Sequence, residues 1–342
     1  MKCVALKGMK EFEVTEIEEP KSKNGSVVIN VEAAGICGSD IHYWVAGGPV
    51  GLVMGHEFCG RVTNPGSRED LKVGDKVTAL PISPCGTCPA CLSGNPQYCP
   101  STWSEAVGLS LTNPGAYASQ TAIRPDMVYK VPEAMRAEEV AMVEPAAVAL
   151  HAVHLANIKV GSNVLIIGGG IIGLLSAELA KMEGASYVAL TETNSARGEN
   201  AVQLNAADEW FDAKDSNLTK QLLSKTNGFG FDVVIDCGGN AACITSALMH
   251  VRPGGTIILV GVSLEPISVP TTLTVIKEIT MQGAIAYTKE EFHTCIDLIA
   301  SKKLEVMKFV SDIVGLNGVQ DAYLRLTSGV DAAVKIIIDP TK

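Results

Sequence analysis

The stretch Asn163-Val164-Leu165-Ile166-Ile167-Gly168-Gly169-Gly170-Ile171-Ile172-Gly173 decides the fold. Its apolar opening has the character of a strand buried on both faces, as strands of parallel sheets are. The glycines that follow satisfy G-x-G-x-x-G. Gly168 permits the tight turn, Gly170 lets the backbone approach a pyrophosphate, and Gly173 lets the next helix pack close to the strand. That helix is predicted over 171–183, and its free N–H groups and dipole favour a bound anion. Nineteen residues beyond Gly173, Glu192 closes the following strand. A carboxylate there accepts bonds from ribose hydroxyls and repels a 2′-phosphate, so the pattern reads as a dinucleotide site that prefers NAD to NADP. Arg197 is the opposing feature, because an arginine nearby can pair with that phosphate. Gly168, Gly170, Ile172, Gly173, Glu192, Arg197 and Gly261 are the candidate cofactor-binding residues.

Downstream, predicted strands at 187–190, 231–236, 255–260 and 279–283 alternate with helical stretches, which signals α/β architecture with a doubly wound parallel sheet over residues 151–286. Upstream, residues 1–150 are rich in β-branched residues, glycine and proline, with alternating runs at 26–31 and 76–80. They are predicted to form a mostly β domain with long loops. Beyond residue 286 a helix is expected over 289–301 and a closing strand over 333–338.

A length of 342 residues suits two domains, and 47% hydrophobic against 19% charged residues excludes a disordered chain. With 27 Lys and Arg against 37 Asp and Glu, the formal charge is −10. Such a surface disfavours nucleic acids and anionic membranes as partners. The start Met1-Lys2-Cys3-Val4-Ala5-Leu6-Lys7 has no secretory pattern, and the apolar stretch 164–180 is interrupted by three adjacent glycines, Ser176 and Glu178. A soluble cytoplasmic protein is expected, in which clusters among the ten cysteines are metal ligands rather than disulfides.

Two such clusters stand out. Cys85, Cys88, Cys91 and Cys99 have the spacing C-x2-C-x2-C-x7-C in a loop of Pro, Gly and Ser, which lets four thiolates close a structural zinc site locally over 85–99. The second is dispersed over Cys37-Gly-Ser39-Asp40-Ile-His42 and Gly55-His56-Glu57. A cysteine and a histidine brought together by folding suit a catalytic zinc, which needs three protein ligands and an open position.

These motifs occur in one order with Gly74-Asp75-Lys76-Val77 and Glu144-Pro145. In that order they resemble the zinc-dependent medium-chain dehydrogenase/reductase family, over essentially the whole chain and nearest its sorbitol, xylitol and 2,3-butanediol dehydrogenase branch. The resemblance implies a GroES-like β domain over 1–150, interrupted by a Rossmann NAD-binding domain and resumed over 287–342, with the active site in the cleft between. It implies Cys37 and His56 as catalytic zinc ligands, with Glu57 or Glu144 as the carboxylate ligand and Asp40 behind His56. Ser39 and His42 match the family's proton relay, so that the catalytic set is Ser39, Asp40, His42 and Glu57. The reaction implied is reversible hydride transfer between a secondary alcohol, a polyol or vicinal diol, and NAD, giving a ketone. The polyol enzymes' Arg-Tyr pair reads Ala286-Tyr287 here, which removes a planar donor fork for sugar hydroxyls. Two other readings fit less of the pattern: a threonine-dehydrogenase-like amino-alcohol oxidoreductase, and a non-catalytic NAD-binding protein on the same fold. Relatives form dimers and tetramers, so a homodimer or homotetramer is expected.

Overall fold

The computed structural model describes residues 1–342 except Lys23 and Leu264. The chain divides into two compact units, Met1–Pro145 with Thr288–Lys342, and Ala146–Tyr287. The first opens with the hairpin β1 (Lys2–Gly8) and β2 (Glu11–Glu16), followed by β3 (Val27–Gly35), β4 (Glu57–Asn64), β5 (Lys76–Ala79), β6 (Gln120–Ile123) and β7 (Val128–Lys130). Between β3 and β4 lies a helix, Gly38–Ala46, that the strand-rich reading of this region does not contain. The helix buries Asp40 and Trp44, so a carboxylate occupies the position where a hydrophobic period would have announced it. Asp40 caps the helix by accepting the Cys37 N–H at 3.2 Å. Gly47, at φ +77°, ends it.

The helical run Ala137–Ala156 has the length and apolarity of a membrane span, but 83% of its apolar window is buried inside the protein. It is a core helix.

The second unit contains β8 (Asn163–Ile167), β9 (Tyr187–Glu192), β10 (Glu209–Asp212), β11 (Phe231–Asp236), β12 (Val251–Leu259) and β13 (Thr280–Gly283). They form one parallel sheet in the order β10-β9-β8-β11-β12-β13. Leu165, Ile167, Val234 and Ile257 from its central strands share a core with Ile244 and Leu248 of the helix Ala241–His250. Strand order reverses at β8, and in open α/β sheets ligands bind beyond the carboxyl ends of the strands at that point. Gly168 lies there, at φ +102°, a conformation that L side chains rarely adopt. A Cβ on Gly173 would lie 1.9 Å from the Gly168 carbonyl, so only glycine lets the helix Ile171–Met182 start so close to the strand.

The chain then returns to the first unit with β14 (Asp312–Val314), the helix Val319–Ser328 and β15 (Ile336–Ile338). This gives the sheet order β14-β15-β3-β4-β5-β7, with β6 also on β3. Regular pairing begins at Ile336, and β15 runs antiparallel to β3 with Ile337 opposite Gly35.

Candidate active site

Strands β3 and β4 pair so that Gly35 faces Glu57. This register brings Cys37, just past the end of β3, beside His56 and Glu57 at the start of β4. Gly35 is required there, because a Cβ would sit 2.0 Å from Glu57 Oε2. One ligand atom each from Cys37, His56 and Glu57 lies within 4.8 Å of the other two. Glu144 is buried but stands outside that trio.

His56 turns Nδ1 toward Asp40, 3.4 Å from Oδ1, which leaves Nε2 for a metal. Burial disfavours a charged ring, but Asp40 and Cys37 together hold its proton well above the ordinary histidine range. Glu57 Oε2 pairs with Lys335 Nζ at 2.5 Å, and Lys335 also donates to the Ile36 carbonyl at 2.9 Å. Both side chains are excluded from solvent, at 0% and 1% exposure. The other carboxylate oxygen, Oε1, is buried without a hydrogen-bond partner. A thiolate, an imidazole nitrogen and an orphaned carboxylate oxygen form a donor set that fits zinc.

Asp40 Oδ2 accepts from Cys37 N and from the Tyr117 hydroxyl at 2.9 Å. Tyr117 in turn meets the Tyr323 hydroxyl at 3.1 Å. Ser39 donates to Cys37 Sγ at 3.3 Å. His42 lies exposed on the same helix, and no hydrogen bond joins it to Ser39 among the described residues.

The four cysteines of the 85–99 loop also converge, their Sγ atoms all within 4.8 Å of one another. The N–H groups of Thr87 and Cys88 point at Cys85 Sγ, at 3.5 and 3.3 Å. Bonds from the Ser101 hydroxyl and the Cys85 N–H pull the Cys99 thiol down to about 5. All ten cysteines are free thiols.

At the glycine turn, Glu192 accepts the Gly169 N–H at 2.7 Å and those of Thr193 and Asn194 at 2.6 and 2.9 Å. Arg197 lies half-buried on the next helix, its N–H given to Asn194 Oδ1. Gly261 packs against Gly239, where a Cβ would lie 2.3 Å from a backbone nitrogen. Gly170 caps the helix in extended geometry, with nothing within 4 Å of where its Cβ would be.

Tyr117, Tyr323 and Lys335 have no counterpart among the residues read from sequence. A lysine between Val334 and Ile336 reads as an outward strand position, and Tyr323 as an apolar residue on a helix face. The one available signal was the mismatch of a charge inside the apolar run 333–338.

Comparison with known proteins agrees with this fold. Residues 23–133 match the family model described as the alcohol dehydrogenase GroES-like domain, and residues 172–301 match that of the zinc-binding dehydrogenases. A sorbitol dehydrogenase of Bacillus subtilis is 30% identical over 100% of this chain and 98% of its own length. The crystal structure of 2R,3R-butanediol dehydrogenase from Bacillus subtilis superposes with a TM-score of 0.87 at 28% identity, covering 99% of each chain. A zinc-binding dehydrogenase from Sinorhizobium meliloti bound to NADP gives 0.90 at 28% identity, again over 99% of each chain. The fold and the family matches define a zinc-dependent dehydrogenase, and the chain belongs to the polyol-dehydrogenase branch of the zinc-dependent medium-chain dehydrogenase/reductase family. It is an alcohol-type oxidoreductase that uses zinc and a nicotinamide cofactor on a small-molecule alcohol.

Proposed function

We infer that this enzyme interconverts a secondary hydroxyl of a polyol or vicinal diol and the corresponding ketone, with NAD as hydride acceptor. The observation that carries the reading is the convergence of Cys37, His56 and Glu57 on one point, with Asp40 behind the histidine ring. Zinc supplies Lewis acidity there when bound, and the nicotinamide accepts the hydride. Cys37 and His56 hold the metal, with the carboxylate ligand drawn from Glu57 or Glu144. Glu57 is favoured by its orphaned Oε1. Asp40 keeps the His56 ring oriented through Nδ1. Ser39 would relay the proton that the alcohol loses, accepting it as its own hydroxyl proton passes through water to His42, which is exposed on the same helix and would release it to solvent. Cys85, Cys88, Cys91 and Cys99 would hold a second zinc, which would keep the loop closed.

Preference for NAD rests on Glu192, whose carboxylate is fixed by three backbone N–H groups at the end of β9 and would oppose a 2′-phosphate. Free cysteines suit a reducing cytoplasm. Exposed Val262, Val275 and Ile276 in the nucleotide-binding unit support association into a homodimer or homotetramer. The test is zinc per chain, measured beside NAD reduction on a panel of diols, polyols, threonine and simple secondary alcohols. Two zincs with turnover on polyols or diols support the reading. Turnover confined to threonine, or none with both zincs present, overturns it.

A further inference from the structure

Tyr117 and Tyr323 place two hydroxyls in the dry interior of the first unit, both residues at 0% exposure. Packing alone does not need them. Tyr323 is wedged edge-on against Phe12 at 4.8 Å and tilted against Trp44 at 5.5 Å, and phenylalanine would fill the same space. A buried hydroxyl is costly unless it is hydrogen-bonded.

The bonds have a single direction. Tyr117 carries one hydroxyl proton, and Asp40 Oδ2 at 2.9 Å accepts it. The Gly35 carbonyl at 3.4 Å is the longer, uncharged alternative. Tyr117 oxygen is therefore the acceptor at 3.1 Å, and Tyr323 is the donor. Burial beside Asp40 keeps both phenols protonated, well above the ordinary tyrosine range. The hydrogen bonds run from Tyr323 through Tyr117 to Asp40, and the carboxylate's other oxygen meets Nδ1 of His56 as an ion-pair contact at 3.4 Å, in which neither atom makes a hydrogen bond among the described residues. Hydrogen bonds in such a chain polarise one another. Gln320 on the same helix fixes its origin, accepting from Phe12 N and donating to the Lys10 carbonyl, each at 3.1 Å.

We propose that Tyr323, acting through Tyr117 and Asp40, is a positioning residue that sets the orientation of His56 and the retention of the metal at Cys37 and His56. The proposal rests on the reading of that trio as the catalytic zinc site. It makes the C-terminal helix part of the metal's surroundings, although none of its side chains is a ligand.

The test uses the full-length protein with cadmium-113 in place of zinc, read by NMR, together with release of zinc to a chelator. The unaltered protein should give two cadmium resonances and two release phases, one of each from the four-cysteine loop. Tyr117→Phe should move only the resonance of the trio and speed release from that site roughly tenfold. Tyr323→Phe should move the same resonance and speed release about threefold. The double variant should exceed Tyr117→Phe by nothing, because both hydroxyls act in one line. Tyr129→Phe, which removes a half-buried phenol elsewhere in the unit, should change neither. An unchanged near-ultraviolet circular dichroism spectrum and denaturant midpoint report that each variant has folded. The proposal is overturned if either single variant keeps the native resonance and release rate, or if their effects add. A single resonance in the unaltered protein, from the four-cysteine loop, overturns the zinc reading along with it.

Discussion

The two clusters of candidate metal ligands are built on opposite plans. The 85–99 cluster takes all its ligands from fifteen consecutive residues, and Cys85 is exposed. Its supporting N–H groups come from within the loop, from Thr87, Cys88 and Cys85. The trio of Cys37, His56 and Glu57 is assembled by the β3–β4 register and supported from far along the chain. Lys335 reaches Glu57 across 278 residues, and Tyr323 reaches Tyr117 across 206. A local site can close around its metal with little help from the fold. An assembled one is pre-organised by the fold, which lets it hold polar groups in fixed, dry geometry with a donor unspent.

That contrast can be broken by experiment, beginning with the largest effect. Cys37→Ala should abolish turnover and lower the zinc content by one per chain while NAD still binds, as followed by elemental analysis and cofactor titration. Retained turnover would remove Cys37 from the metal. Lys335→Met should cost about 3–5 kcal/mol in denaturant unfolding, since it leaves the Glu57 carboxylate buried without its cation. Adding Glu57→Gln should restore part of that loss, and strict additivity of the two would mean the pair is not coupled. Cys88→Ser should cost less, about 1–3 kcal/mol, and expose the 85–99 loop to protease while the trio keeps its metal. Loss of both metals would show that the loop site is not autonomous. Glu192→Ala should be the mildest. It should weaken NAD roughly tenfold and NADP far less, as measured by cofactor titration, with equal losses showing that Glu192 does not discriminate.

The same contrast explains what could be read from the sequence. Strand β8, its glycine turn and Glu192 were legible because their chemistry is written in consecutive residues, as it is in the four-cysteine loop. Strands β8 and β11 lie where their apolar runs placed them, whereas β12 starts four residues before the expected 255 and β15 three residues after the expected 333. The helix Gly38–Ala46 was hidden because it buries Asp40 beside Trp44 rather than an apolar stripe. Cys37 and His56 became interpretable as a pair only through the order of motifs along the chain, since nothing local joins residue 37 to residue 56. Tyr117, Tyr323 and Lys335 were illegible for a stricter reason. Their partners lie between 77 and 299 residues away, and each side chain has an ordinary alternative use on a helix face or a strand.

The burial of Lys335 against Glu57 also sets an order of events in synthesis. The four thiolates of the loop have all been made by residue 99, whereas the cation that neutralises Glu57, Lys335, follows more than two hundred residues later. Metal can therefore enter the loop while the ribosome is still at work. The trio of Cys37, His56 and Glu57 has to wait until Lys335 has emerged, and stalled chains of increasing length, assayed for bound zinc, would gain a second ion only once Lys335 is clear of the ribosome.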